Sequence, residues 1–139
     1  MEEITSAQNP LIKLVRSLER RKGRDETGLF VVEGVGYAQR AKAHRFEPRL
    51  LLVDRDRTLE SSLNEIITWA SAEGASVVSL PPVLLARISG LANPQALILV
   101  CRQRWQPPGI PPAGDTAILA LYSVRDPGNL GTIMRTAEA

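Results

Sequence analysis

Leu119-Ala-Leu-Tyr-Ser-Val-Arg-Asp-Pro-Gly-Asn-Leu-Gly-Thr-Ile-Met-Arg-Thr-Ala-Glu-Ala139 is the stretch from which the fold class of this chain follows most directly. The apolar run from Thr116 to Tyr122 predicts a strand, Pro-Gly-Asn predicts a tight turn, and Leu130 to Ala139 predicts a helix with Asn129 as its N-cap. Arg135 falls on the polar side of that helix. Such a junction directs backbone N–H groups, a carboxamide and a guanidinium to one place, as a phosphate or ribose site requires.

The same alternation of strand and helix extends back to the N-terminus. A basic helix is predicted from Pro10 to a stop at Gly23, and Thr58 is predicted to cap a helix whose apolar stripe begins at Leu59. Further strands and helices are predicted at Leu29–Glu33, 35–43, 49–53, 75–80, 82–87 and 96–102. This order predicts an α/β fold with a largely parallel sheet covered on both faces.

A change in composition divides the chain. Residues 103–116 are rich in proline and glycine and predict a semi-rigid linker. We therefore predict a complete α/β domain at 1–102, a linker at 103–116, and at 117–139 the opening strand, loop and helix of a second domain. A strand with one helix buries too little apolar surface to fold alone.

Charge and composition narrow the classes of function. The net charge is only +2, and no apolar run is long enough to span a bilayer. A single cysteine, Cys101, rules out an internal disulfide, and it is predicted to be buried. No secretory signal is visible after Met1, so the cytoplasm is the expected location, with no membrane partner and no metal. Six basic residues lie between Pro10 and Arg24 against the single acid Glu19, and they predict contacts with RNA phosphates: Lys13, Arg16, Arg20, Arg21, Lys22 and Arg24.

The loop at Asp126–Gly131 has more than one interpretation. Its residues can simply form a strand-to-helix turn. A dinucleotide-binding fingerprint is weaker, since only Gly128 and Gly131 are present. Glu33, at a strand end, is expected to cap a helix or to pair with Arg24.

The last motif resembles the first motif of the SPOUT superfamily of AdoMet-dependent RNA methyltransferases, in the SpoU/TrmH branch that methylates ribose 2′-hydroxyls. That motif is a strand, Asp-Pro-x-Asn-x-Gly, apolar residues and Arg-Thr-Ala, and it stands here as Asp126-Pro-Gly-Asn-Leu-Gly-Thr-Ile-Met-Arg-Thr-Ala137. The segments Ile4–Lys13 and Gly28–Gly34 resemble the substrate-binding domain of many members. The resemblance implies a three-layer α/β/α sandwich, similar to ribosomal proteins that bind kinked RNA, ahead of the trefoil-knot domain.

The resemblance also implies a chemistry. Asn129 and Arg135 match the catalytic asparagine and arginine, with Gly128 and Gly131 as structural loop glycines, AdoMet as cofactor and structured rRNA or tRNA as partner. The family's later motifs, which build the knot, the AdoMet pocket and the homodimer interface, have no counterpart up to Ala139. We therefore expect an N-terminal portion of a longer enzyme, inactive by itself. A non-catalytic RNA-binding module and a nucleotide-binding α/β protein remain the alternatives.

Overall fold

A five-stranded mixed sheet lies at the centre of the computed structural model, which describes residues 1–105 and 118–138. The chain divides into two compact units, Met1–Arg104 and Trp105–Ala139, and the sheet belongs to the first. The strands are β1 Glu2–Glu3, β2 Leu29–Glu33, β3 Pro48–Asp54, β4 Ser76–Leu80 and β5 Leu97–Arg102. The helices are α1 Pro10–Ser17, α2 Arg21–Thr27, α3 Val35–Ala43, α4 Ser61–Ala72, α5 Pro82–Ile88 and, in the second unit, α6 Pro127–Glu138.

The sheet has the order β1-β4-β3-β5-β2, and it is less parallel than predicted. The strands β1, β4 and β3 are parallel, whereas β5 runs antiparallel to both β3 and β2. The prediction of a largely parallel sheet was therefore wrong. The helix α5 has only seven residues, and residues 89–96 connect it to β5.

Apolar residues on both faces of the sheet explain why helices cover it twice. In β3, Leu50 and Leu52 face a cluster with α1 and α5, while Leu51 and Val53 face a cluster with α3 and α4. All four side chains are buried. This alternation within a continuous apolar run is expected of strands that are buried on both sides. The α/β class and the three-layer sandwich are thus confirmed.

Cys101 belongs to the cluster on the α3 and α4 side, where it is fully buried as predicted. Burial raises the pKa of its thiol to about 11, because a thiolate would lose its hydration there. The thiol is therefore protonated at neutral pH and acts as a small apolar side chain.

The predicted basic helix is broken into two. The helix α1 ends at Ser17, and Gly23 lies inside α2 instead of ending the helix. Gly23 is buried, and a Cβ built on it would overlap the backbone carbonyl of Ser17. Glycine is therefore required at this position because two backbone segments meet there, which local sequence does not reveal.

Two further predictions, both at the start of α4, were wrong. Glu60, not Thr58, precedes α4, and Leu59 is almost fully exposed instead of lying on the buried stripe. Arg57 donates two hydrogen bonds to the Glu60 carboxylate, at 2.6 and 2.9 Å, and thereby lowers the pKa of Glu60.

Residues 118–122 form no strand, although a strand was predicted over Thr116–Tyr122. A strand needs a neighbour with which to exchange hydrogen bonds, and within the described residues the strands belong to the first unit's sheet. Most of the predicted linker at 103–116, and the first two residues of this predicted strand, lie outside the described residues.

The contrast between two glycines tests this packing. Replacing Gly23 by alanine should lower the free energy of unfolding by about 1–3 kcal/mol or more, because the methyl group forces α2 away from Ser17. The matched control is Gly36→Ala on α3, where nothing lies within 4 Å of the added Cβ. That variant should be neutral or up to about 1 kcal/mol more stable, since alanine favours helix. Urea denaturation of both variants measures the difference, and equal stabilities would contradict the described contact.

Candidate functional site

The helix α6 begins earlier than the sequence predicts. We call the residues Asp126–Thr136, its N-cap and most of its length, the motif helix. Asp126 is its N-cap residue, because its Oδ1 accepts the backbone N–H of Asn129 at 2.7 Å, and Pro127 occupies the first helical position. Asn129 is therefore the third residue of α6, and its prediction as the cap was wrong. The Pro-Gly-Asn segment is the first helical turn and not a separate tight turn.

Arg135 folds back along the motif helix towards its N-terminus. Its Nη2 donates to Thr132 Oγ1 at 3.3 Å, and its Nη1 would lie 3.5 Å from a Cβ added to Gly131. Thr132 in turn donates to the carbonyl of Gly128 at 3.0 Å. The guanidinium is thus held above the turn that follows Asn129, and both residues remain exposed.

The two motif glycines have ordinary helical backbone, and neither has a positive φ. A Cβ at Gly128 would stand 3.0 Å from Asp126 Oδ1, so it would press on the capping carboxylate. A Cβ at Gly131 would make ordinary contact with the Arg135 guanidinium. A side chain at Gly128 would therefore crowd the capping carboxylate, whereas one at Gly131 would not crowd its neighbours.

A cationic groove of about 320 Å³ lies at the corner between α1 and α2. Four of the six basic residues predicted to contact RNA line it, together with Glu19 and Glu26: Lys13, Arg16, Arg20 and Lys22. Lys22 also lies 3.7 Å from Glu26 in an exposed ion pair. The structure therefore brings most of the predicted cations to one surface.

The other two predicted cations are engaged elsewhere. Arg21 pairs with Asp25 at 3.2 Å, on the exposed side of α2. Arg24 is half-buried, and its Nη1 donates to the carbonyls of Leu18 and Glu19 at 2.9 and 2.8 Å. Arg24 therefore closes the end of α1 and shapes the corner between the two helices.

Glu33 has partners that local sequence did not indicate. Its carboxylate accepts Ser89 Oγ at 2.5 Å and the backbone N–H of Gly90 at 2.7 Å. The expectation of a helix cap or an Arg24 partner was wrong, because Glu33 instead holds the loop between α5 and β5. Next to it, on α3, the exposed Tyr37 was missed. An aromatic residue among polar helix positions is the signal that could have found it.

Two searches of the described residues complete the survey. Within residues 1–105 and 118–138, no group of three or more His, Cys, Asp or Glu side chains is arranged to hold a metal ion. None of the helices in this part of the chain has the length and apolar character needed to cross a bilayer.

The first unit is thus a three-layer α/β domain with a cationic groove, and the second carries the helix with Arg135. Comparison with known proteins shows which class of protein this chain resembles. Residues 9–99 match the family model described as the MRM3-like substrate binding domain. The chain belongs to this family.

The relatives and structural neighbours are RNA methyltransferases. The chain is 32% identical to an uncharacterized tRNA/rRNA methyltransferase of Synechocystis over 98% of its own length and 48% of the relative's. It is 28% identical to the 23S rRNA (guanosine(2553)-2′-O)-methyltransferase RlmP of Bacillus subtilis, over 100% of this chain and 51% of that protein. The AdoMet-bound rRNA methyltransferase of Sinorhizobium meliloti superposes with a TM-score of 0.84 and 33% identity, over 99% of this chain and 50% of that one. The chain thus spans about half the length of the curated relatives it matches.

Arg24 binds backbone carbonyls instead of lining the groove, and this structural role can be tested by measuring the stability of variants. The Arg24→Ala substitution should lower the free energy of unfolding by about 1–3 kcal/mol, because two backbone carbonyls lose a charged donor. The matched control is Arg16→Ala, an exposed groove residue, which should change it by less than about 0.5 kcal/mol. Thermal or urea unfolding measures both, and equal effects would mean that Arg24 has no structural role.

Proposed function

We propose that this chain provides the RNA-recognition domain and first catalytic motif of a SpoU/TrmH-type enzyme that methylates ribose 2′-hydroxyls of structured rRNA or tRNA. The observation that carries the proposal is the Arg135 guanidinium, which is held over the exposed first turns of the capped motif helix. The family membership and the methyltransferase relatives support it.

Arg135 has the right chemistry for this step. A 2′-hydroxyl becomes a good nucleophile only when the negative charge on its oxygen is stabilised, and a positioned guanidinium stabilises it. Arginine does not deprotonate in proteins, so Arg135 acts as an electrostatic partner and not as the base. The proton leaves to an RNA phosphate or to water. Asn129, six residues earlier on the same helix, is the second residue that we propose for the catalytic site.

AdoMet is the cofactor we propose, and when bound it supplies the methyl group. The described residues 118–138 do not enclose a cofactor, since none of their side chains is buried. We therefore propose that the AdoMet pocket lies outside these residues, and we assign none of them a role in binding AdoMet. We also propose that the enzyme is a homodimer whose interface lies in the trefoil-knot domain. Its proposed location is the cytoplasm.

RNA binding is assigned to the cationic groove. Lys13, Arg16, Arg20 and Lys22 converge on one surface, as contact with successive phosphates requires. Arg21, paired with Asp25 outside the groove lining, is proposed as a further RNA contact, and Arg24 fixes the corner between α1 and α2.

Salt dependence tests the groove. The logarithm of the affinity of residues 1–139 for a structured RNA should fall by about 0.7–0.9 for each phosphate contacted per tenfold rise in salt. Replacing Lys13, Arg16 or Arg20 by glutamine should each reduce this slope by about one such contact, because one phosphate loses its cation. Arg57→Gln, at a cation paired with Glu60 outside the groove, serves as the control and should leave the slope unchanged. Binding that does not respond to salt would refute the assignment.

Methylation rate tests Arg135. In a protein that continues past Ala139 to the length of its relatives, Arg135→Ala should lower kcat by about 100- to 1,000-fold, as for removal of one oxyanion donor. The Arg135→Lys variant should recover part of the rate, because a charge remains without the fork geometry. RNA affinity should stay within about twofold, which separates this test from that of the groove. An undiminished rate in the alanine variant would exclude the proposed role.

A further inference from the structure

An apolar cavity of about 550 Å³ lies along β2 in the first unit. The strand β2 is at the edge of the sheet, paired only with β5. The cavity is walled by Val15 and Leu18 of α1 and its end, by β2 itself, and by Ile88 and Leu91. It is an open cleft whose lining is mainly apolar, which is the surface that a flat aromatic ligand needs.

Polar side chains stand at the margins of this cavity. Arg24, Glu19 and Glu33 line it, and so does Tyr37, a residue that is 62% exposed. The Glu33 carboxylate is engaged by Ser89 and Gly90, so it fixes the loop that carries Leu91 and is a positioning residue. Of the two aromatic residues that line the cavity, Phe30 is half-buried and Tyr37 is exposed.

The surroundings of the cavity carry positive charge on two sides. Glu19 lines both the cavity and the cationic groove, so the groove with Arg16 and Arg20 adjoins the cavity directly. On the other side, Tyr37 also lines a small hollow of about 170 Å³ with Gly36 and Arg40. A ligand in the cavity would thus have cations on two sides, Arg16 and Arg20 in the groove and Arg40 at the hollow.

This combination distinguishes between possible occupants. A fully paired RNA helix presents phosphates but no free base face, so it would use the groove and leave the cavity empty. An unpaired nucleotide presents both, because its base can leave the stack and lie on an aromatic ring while its neighbouring phosphates meet cations. A second copy of this chain in two-fold contact would bring like-charged grooves together.

We propose that the cavity along β2 binds an unpaired nucleotide of the RNA, with the base stacked on Tyr37 and the adjoining phosphates on the cationic groove and Arg40. The inference rests on the proposed function and deepens it, since it assigns the substrate class as RNA with a bulged or looped nucleotide. The cavity is large enough for one nucleotide with its base and ribose.

The test uses residues 1–139 and two RNA hairpins that differ only in one bulged 2-aminopurine. The chain should bind the bulged hairpin more tightly than the paired one, and the fluorescence of the 2-aminopurine should fall as the base stacks. Tyr37→Ala should weaken binding of the bulged hairpin by about 5- to 150-fold, the range expected for losing one base–aromatic stack, and should leave the paired hairpin and the salt slope unchanged.

Two variants control for the ring and for exposure. Tyr37→Phe keeps the aromatic face and should keep the preference, which separates stacking from loss of fold. Tyr122→Ala removes an exposed tyrosine outside the first unit and should leave the binding of both hairpins unchanged.

The possible failures are distinguishable. Equal binding of the two hairpins, or an unaffected Tyr37→Ala variant, would overturn the nucleotide site while leaving the salt-dependent RNA binding of the proposed function intact. Absence of binding to either hairpin would overturn both. Self-association of the chain that is lost in Leu91→Arg, measured by sedimentation, would assign the cavity to a second copy and refute the inference.

Discussion

Burial of β3 and β5 on both faces is the constraint on which the rest of the first unit depends. Leu51 and Leu99 point to one helical layer, while Leu52 and Ile98 point to the other, so neither layer can be absent without exposing the centre of the sheet. Each of these side chains contributes about 1.5–3 kcal/mol when it is removed from water. The helices α1 and α5 and the helices α3 and α4 are therefore held in place from the middle outwards. The edge strand β2 and the α1–α2 corner, which carry the proposed RNA contacts, are what this arrangement leaves accessible.

Local pattern was enough to predict the elements that depend on local pattern. The strand at Leu29–Glu33 and the helix at Val35–Ala43 lie at the predicted bounds, because the apolar run, Gly34 and helical periodicity are encoded within a few residues. Gly34 has φ +93, so a glycine is favoured at this turn. The motif of α6 was also visible in the sequence, and its helical form follows from a cap and side-chain bonds within four residues.

Several of the errors involve partners distant in sequence or neighbours outside the element. The contact between Glu33 and Ser89 joins residues 56 positions apart, and it holds the loop between α5 and the antiparallel strand β5. Gly23 was interpreted as a stop because its reason, the approach of the Ser17 carbonyl, depends on how two helices pack. Arg24 resembled its basic neighbours in sequence, yet two carbonyls at the end of α1 claim one of its nitrogens. For the candidate site, the sequence predicted which residue types are present. Which of them line the groove and which stabilise the fold depended on tertiary contacts.

The open margin of the sheet at β2 has a consequence for how the chain behaves among other chains. In the pairing with β5, the backbone groups of Leu29, Val31 and Glu33 point outward, since Gly34 and Gly28 pair inward with Leu97 and Gln103. At Leu29 the outward amide donates to Thr27 Oγ1, and its carbonyl accepts Gln103 Nε2. Side chains thus cap part of the ladder that would otherwise template a foreign strand. At Leu29 this edge strand is therefore less available for pairing with a strand of another chain.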